Sequence, residues 1–202
     1  MKFLLIFALV AFLLYLFVRR FFVKKEVQSI TRHQGKRNFI LIDTTSTIIA
    51  NATKNTLWTV GIGFLLFILL LVLGLKIKVL WIALPLSFYL IGQLFVYTNH
   101  VRFTKDQRIY FDPRSYQVFV DLIKGDSIAF NLTTDILQIK EVKAIQKNRG
   151  TLFGYYKIKH QKGQLIIPYL VEQNLAATNR QFFSYLNKNF KITVESRLFP
   201  II

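Results

Sequence analysis

Two apolar runs constrain this chain more than any other feature: Leu57 to Leu75 and Val79 to Tyr97, 19 residues each, parted only by Lys76-Ile77-Lys78. A helix crosses a hydrocarbon layer of about 30 Å with about 17–25 residues, so each run predicts a spanning helix. So short a link then forces an antiparallel hairpin. Trp58 opens the first run, Trp81 lies near the start of the second and Tyr97 closes it, where aromatic interfacial anchors are expected. Pro85 predicts a kink near the start of the second helix, with Ser87 placed to bond a freed backbone group. Gly61, Gly63 and Gly92 either permit close helix contact or are simply tolerated in a spanning segment. No charged residue lies inside either run, which argues against a self-contained pump or channel. Gln93 has two readings, a hydrogen bond to a partner helix or a polar residue near the head groups.

A third apolar block, Phe3 to Val18, has 16 residues and reaches spanning length with Phe21, Phe22 and Val23 if Arg19 and Arg20 extend toward head groups. A cleaved signal peptide is the rival reading. The block ends in Phe17-Val18-Arg19-Arg20, which offers no small-residue cleavage site, so a retained anchor over 1–23 is expected. Orientation follows from the cations. Residues 19–56 carry eight Lys/Arg against Glu26 and Asp43, whereas the other side offers only Lys2, Lys76 and Lys78. Because basic loops stay inside, the N-terminus is expected outside, residues 19–56 and 98–202 inside, and the turn near 74–78 outside.

Residues 24–56 form a basic linker in which Phe39 to Ile42 reads as a short strand or an interfacial patch, followed by a helix cap at Asp43-Thr44-Thr45-Ser46. Residues 98–202, with 16 Lys/Arg and 8 Asp/Glu, are long enough for one compact domain. Here the pattern shifts to short β-rich runs: Arg108 to Phe111, Tyr116 to Leu122, Ser127 to Leu132, Ile136 to Ile145, Tyr155 to His160 and Leu165 to Ile167. Turn residues separate them at Asp112-Pro113-Arg114-Ser115, Lys124-Gly125-Asp126 and Gln161-Lys162-Gly163-Gln164. A helix from about Val171 to Asn189 closes the series, with Leu175, Phe182, Phe183, Leu186 and Phe190 giving a mostly apolar face. The expected class is an α+β membrane protein: an N-terminal anchor, a helical hairpin and an antiparallel β domain closed by a helix.

Several chemistries are removed by composition. The chain has no Cys, and His33, His100 and His160 are scattered without a ligand spacing, so no metal site or cofactor is expected. His100, at the inner end of the third helix, is expected to cap it. Neither Gly-x-Ser-x-Gly nor a phosphate-binding loop occurs, and the reading is non-enzymatic. One charged feature stands out: Lys147, Arg149, Lys157, Lys159 and Lys162 lie in a stretch without an acid, interleaved with Phe153, Tyr155 and Tyr156. On a strand, Lys157 and Lys159 share a face. Next to an anionic inner leaflet each such cation contributes on the order of 1 kcal/mol. Nucleic acid would also suit basic residues interleaved with aromatics, but membrane tethering favours lipid. A solvated edge strand that resists aggregation is the third reading.

The hairpin Leu57 to Tyr97, the strand-rich stretch Phe103 to Pro168 with Gly163 before Gln164-Leu165-Ile166-Ile167-Pro168, and the final helix resemble bacterial membrane-anchored proteins carrying a pleckstrin-homology-like (YcxB-like) domain. The resemblance covers residues 39–190, and the extra N-terminal span departs from it. It implies a small barrel-like β sandwich capped by the C-terminal helix and used for protein contact or scaffolding near the membrane. The expectation is a multi-pass bacterial inner-membrane scaffold or accessory subunit; the alternatives are an anionic-lipid-binding or membrane-sensing module, or part of a transporter or membrane enzyme whose site lies on partner chains. Its partners would be other membrane subunits and anionic lipids of the inner leaflet.

Overall fold

The computed structural model describes Tyr15 and residues 39–123 and 127–202. The expected anchor over 1–23, including Arg19 and Arg20, lies outside the described residues apart from Tyr15, as does most of the basic linker. The elements run β1 (Ile40–Ile42), α1 (Ser46–Gly74), a 3-10 helix (Lys78–Ala83), α2 (Leu84–Lys105), β2 (Gln107–Asp112), β3 (Gln117–Leu122) and β4 (Ile128–Asn131). They continue with β5 (Ile136–Ala144), β6 (Gly154–His160), β7 (Gly163–Pro168), α3 (Tyr169–Glu172), α4 (Ala177–Asn189) and β8 (Ile192–Arg197).

Thr45 starts α1 by accepting the Ile48 N–H on its side-chain oxygen at 3.3 Å, as the Asp-Thr-Thr-Ser sequence predicts. The helix then continues without a break to Gly74. Helix α1 and the segment Lys78–Lys105 are each long and apolar enough to cross a membrane. They pack antiparallel at positions where small residues let the chains approach. A Cβ on Gly63 would stand 2.7 Å from the Leu90 Cβ and 3.0 Å from the Ile91 backbone nitrogen. Further along, Phe67 and Phe88 meet with ring centroids 5.3 Å apart. At the turn, Trp81 lies against Gly74 and donates its indole N–H to the Gly74 carbonyl at 2.9 Å, satisfying one of the acceptors left at the end of α1. Pro85 occupies the first turn of α2, where its missing N–H costs nothing; the 3-10 turn before it takes up the change of direction. Ser87 donates to the Leu84 carbonyl at 2.8 Å.

The β domain has two four-stranded sheets, ordered β1-β2-β3-β4 and β7-β6-β5-β8. All pairings are antiparallel except β5 with β8. One core joins them: Ile42, Ile109, Phe111, Val118 and Phe130 from the first sheet with Ile139, Ile158, Leu165 and Ile167 from the second. Helix α4 covers it with Phe182, Phe183 and Leu186. Strand β1 reaches this sheet from the far side of the hairpin, with Ile40 opposite Phe111 and Ile42 opposite Ile109. The hairpin is thus inserted between the first two strands of one sheet.

Two expectations at the C-terminal end need correction. The single helix from Val171 to Asn189 is two, α3 and α4, parted at 173–176. Asparagine side chains compete there for backbone groups: Asn174 accepts the Ala176 N–H at 3.2 Å, and Asn179 donates to the Val171 carbonyl at 2.8 Å. Strand β8, which the sequence reading did not foresee, follows α4 and pairs parallel with β5, placing Glu195 beside Val142.

Candidate functional site at the joint of hairpin and domain

The loop between β5 and β6 grips the hairpin on both helices. Asn148, buried, donates its side-chain amide to the Gln93 Oε1 of α2 at 3.2 Å, and Asn55 of α1 donates to the Thr151 hydroxyl at 3.0 Å. Asn148 and Thr151 also exchange backbone hydrogen bonds of 2.8 and 3.0 Å, which folds the loop into a rigid tip. Between them Arg149 and Gly150 take left-handed backbone angles, φ 46° and 93°. That turn brings the Arg149 guanidinium over the Trp58 ring, 5.0 Å from its centroid. Gln93 therefore finds its partner inside the chain. Replacing Asn148 by Leu leaves the buried Gln93 Oε1 unpaired and should cost about 1–3 kcal/mol, whereas adding Gln93→Leu should recover much of that loss. A double-mutant cycle on thermal unfolding of the full chain in detergent measures the coupling; additive losses would show that the pair is not coupled.

The C-terminal residues fasten a second line of contact along α2. The Phe199 ring lies over Gly92, 2.8 Å from where a Cβ would be, and 5.3 Å from the Tyr89 ring. Asn99 donates to the Ile202 oxygen at 3.2 Å and accepts the Ile202 N–H at 2.8 Å. His100, fully buried, donates from Nε2 to the Pro200 carbonyl at 2.7 Å. It holds the tail and does not cap the helix. Tyr97, expected as an interfacial anchor, is likewise turned inward: its hydroxyl is 2.6 Å from the Thr53 hydroxyl, and its ring packs edge-on against Phe153.

The basic stretch is divided. Lys147 and Arg149 sit exposed on the loop at the hairpin, whereas Lys157 and Lys159 share one face of β6, which runs away from it, and Lys162 lies in the β6–β7 turn. Lys157 stands opposite Lys140, which is ion-paired to Glu195 of β8, so strand pairing supplies an acid that the stretch itself lacks. Lys162 donates to the Ala129 carbonyl at 3.2 Å and links the two sheets. Trp58 is exposed beside Lys54, and Trp81 lies at the other end of the hairpin. Below Trp58 an open groove of about 310 Å³ runs along α1, lined by Leu57, Trp58, Gly61, Ile62 and Leu65.

One cluster of ionisable groups lies within the β domain. Tyr156 donates to Glu172 at 2.9 Å, Tyr169 donates to Glu141, and the two rings are 5.4 Å apart. The close fit depends on Gly154, where a Cβ would stand 2.7 Å from both the Tyr169 ring and the Val142 carbonyl. Burial first, and the nearby carboxylates second, push both phenols upward. Burial also raises the Glu172 carboxyl above its ordinary value; the Tyr156 hydrogen bond opposes this and the Glu141 charge adds to it. A carboxyl raised on folding contributes stability that is present below its ordinary value of 4.5 and lost as pH rises through its folded value. Glu172→Gln should therefore stabilise the domain at neutral pH, with the gain vanishing in acid. Unfolding midpoints of both proteins across the pH range test this, and a gain that grows toward acid would contradict it. Among the described residues no three His, Cys, Asp or Glu stand together to hold a metal ion.

Comparison with known proteins leaves the joint to be read on its own geometry: no family model, no curated protein and no solved structure matches this chain.

Proposed function

We propose that this chain is a non-enzymatic scaffold or accessory subunit of a larger assembly in the bacterial inner membrane, with its hairpin in the bilayer and a pleckstrin-homology-like domain on the cytoplasmic side. The observation that carries the reading is the belt of exposed apolar side chains around the hairpin. Leu57, Ile62, Leu65, Ile68, Val72 and Leu75 on one arm and Val79, Ile82, Leu86, Phe88 and Phe95 on the other all face outward. From Leu57 to Leu75 a helix rises about 27 Å, close to a hydrocarbon thickness of about 30 Å. Lys54 stands before the belt, and Lys76 and Lys78 stand at its turn. Two sheets around one core, with α4 laid across it, support the domain assignment.

The joint gives this reading a mechanism. A domain tied to both helices and to its own tail cannot swing freely, so it presents a fixed surface to a partner at the bilayer. Solubilisation in mild detergent should return partner subunits in stoichiometric amounts; a monodisperse particle of this chain alone removes the assembly claim. Reporters fused after Ile202 or at Lys36 should read cytoplasm, and one at Lys76-Ile77-Lys78 the far side. A cytoplasmic signal from that turn overturns the orientation.

A further inference from the structure

Lys54, Trp58, Ile62 and Leu65 recur at four- and three-residue spacing on α1 and so share one face. Gly61 lies open beside them, since a Cβ there would meet nothing within 4 Å. The groove of about 310 Å³ follows this stripe toward the middle of the belt. At its upper end the Arg149 guanidinium lies over Trp58, Lys54 stands one helical turn before that ring, and Lys147 is exposed two residues from Arg149 on the same loop; among the described residues none of the three is ion-paired. The Arg149 guanidinium is held over the indole by a loop pinned through Asn148 and Thr151, so its place is built by the fold.

We propose that this groove and its three cations form a binding site for one anionic phospholipid. Its acyl chain lies along Gly61, Ile62 and Leu65, and its headgroup phosphate sits between Arg149, Lys147 and Lys54. The inference rests on the hairpin being in the bilayer. Charge complementarity selects the ligand: no acid stands among these cations, the groove below them is lined mainly by apolar surface, and a phospholipid carries both parts in that order. A second apolar helix laid in the groove would cover Arg149 without supplying an acid. Trp58 serves the site twice, as an interfacial ring and as the face on which the guanidinium rests.

The test uses the full chain in phosphatidylcholine bilayers, with brominated phosphatidylglycerol or brominated phosphatidylcholine at equal mole fraction as quencher. Trp81→Phe leaves Trp58 as the reporter at the site, and Trp58→Phe leaves Trp81 as the reporter of bulk lipid. Trp58 should be quenched more by the anionic lipid, and Trp81 equally by both. A cation near the surface biases occupancy about fivefold, so Arg149→Gln should lower the preference at Trp58 by about that factor. Arg149→Lys should keep most of it, although both variants place a new side chain on the same left-handed backbone. Equal quenching of Trp58 by the two lipids overturns the site, as does a preference that survives Lys54→Gln, Lys147→Gln and Arg149→Gln together. If neither indole is quenched in any brominated bilayer, the membrane placement falls and the site with it.

Discussion

Phe182→Ala is expected to cost the β domain about 3–5 kcal/mol, the usual loss for a large aromatic cut from a core. The Phe182 side chain is fully buried, with its ring 5.3 Å from Phe111 at 74° and 5.3 Å from Phe183 at 89°. The edge-on contact with Phe111 joins α4 to the first sheet, and such a pair adds about 0.5–1.5 kcal/mol beyond the area it buries. With domain stabilities of about 5–15 kcal/mol, the variant should be close to unfolding at physiological temperature. Hydrogen exchange on the full chain in detergent reads the effect by region: amides of β2, β3 and β6 should lose protection while the central turns of α1 and α2 keep theirs. Unchanged protection in the sheets would mean that α4 does not close the core.

The second large effect concerns where the domain begins. A fragment of residues 98–202 lacks β1, and with it the pairing of Ile40–Ile42 along β2 and the Ile42 side chain, which is 2% exposed. It also loses the Asp43 carbonyl, to which Asn174 and Asn179 donate at 2.7 and 3.1 Å. Burying one such aliphatic side chain is worth about 1.5–3 kcal/mol, and an uncovered β2 presents an open strand edge over an apolar core. The fragment should therefore aggregate or show poor amide dispersion by NMR. Adding residues 39–45 through a short linker should restore a dispersed, monomeric spectrum. A well-folded fragment without them would show that β1 is dispensable and that the hairpin is an appendage to a self-sufficient domain.

Local chemistry was legible in the sequence alone. The two apolar runs and their three-residue link determined an antiparallel hairpin, since nothing else accommodates that length and composition. Asp43-Thr44-Thr45-Ser46 marked the start of α1, within which Thr45 is the residue that caps it. Asp112 marked the end of β2: its carboxylate takes the Arg114 N–H at 2.9 Å and the Ser115 hydroxyl at 2.7 Å. The turn Gln161 to Gln164 marked the reversal between β6 and β7, where Gly163 takes φ 143°, although β7 begins at Gly163 and not at the expected Leu165. Each of these signals acts within a few residues, and hydropathy or turn geometry carries it directly.

Pairing was decided only in three dimensions. Four residues at Phe39 to Ile42 are too few for periodicity to separate a strand from a surface patch, and Ile40 to Ile42 became β1 because the edge of β2 lay open beside a core needing Ile42. Strand β8 was hidden for a related reason: its partner β5 lies some fifty residues earlier, and a parallel pairing leaves no hairpin turn to announce it. At the joint, composition showed a basic stretch but not its division, because Lys147 and Arg149 belong to a loop set by Asn148 and Gln93 while Lys157 and Lys159 follow the register of β6. Tyr97 and Gln93 look like residues of a membrane boundary when read along the chain. The Tyr97 hydroxyl and the Gln93 Oε1 turn inward because Thr53 and Asn148, brought there by the folding of distant segments, offer hydrogen bonds that a local reading cannot supply.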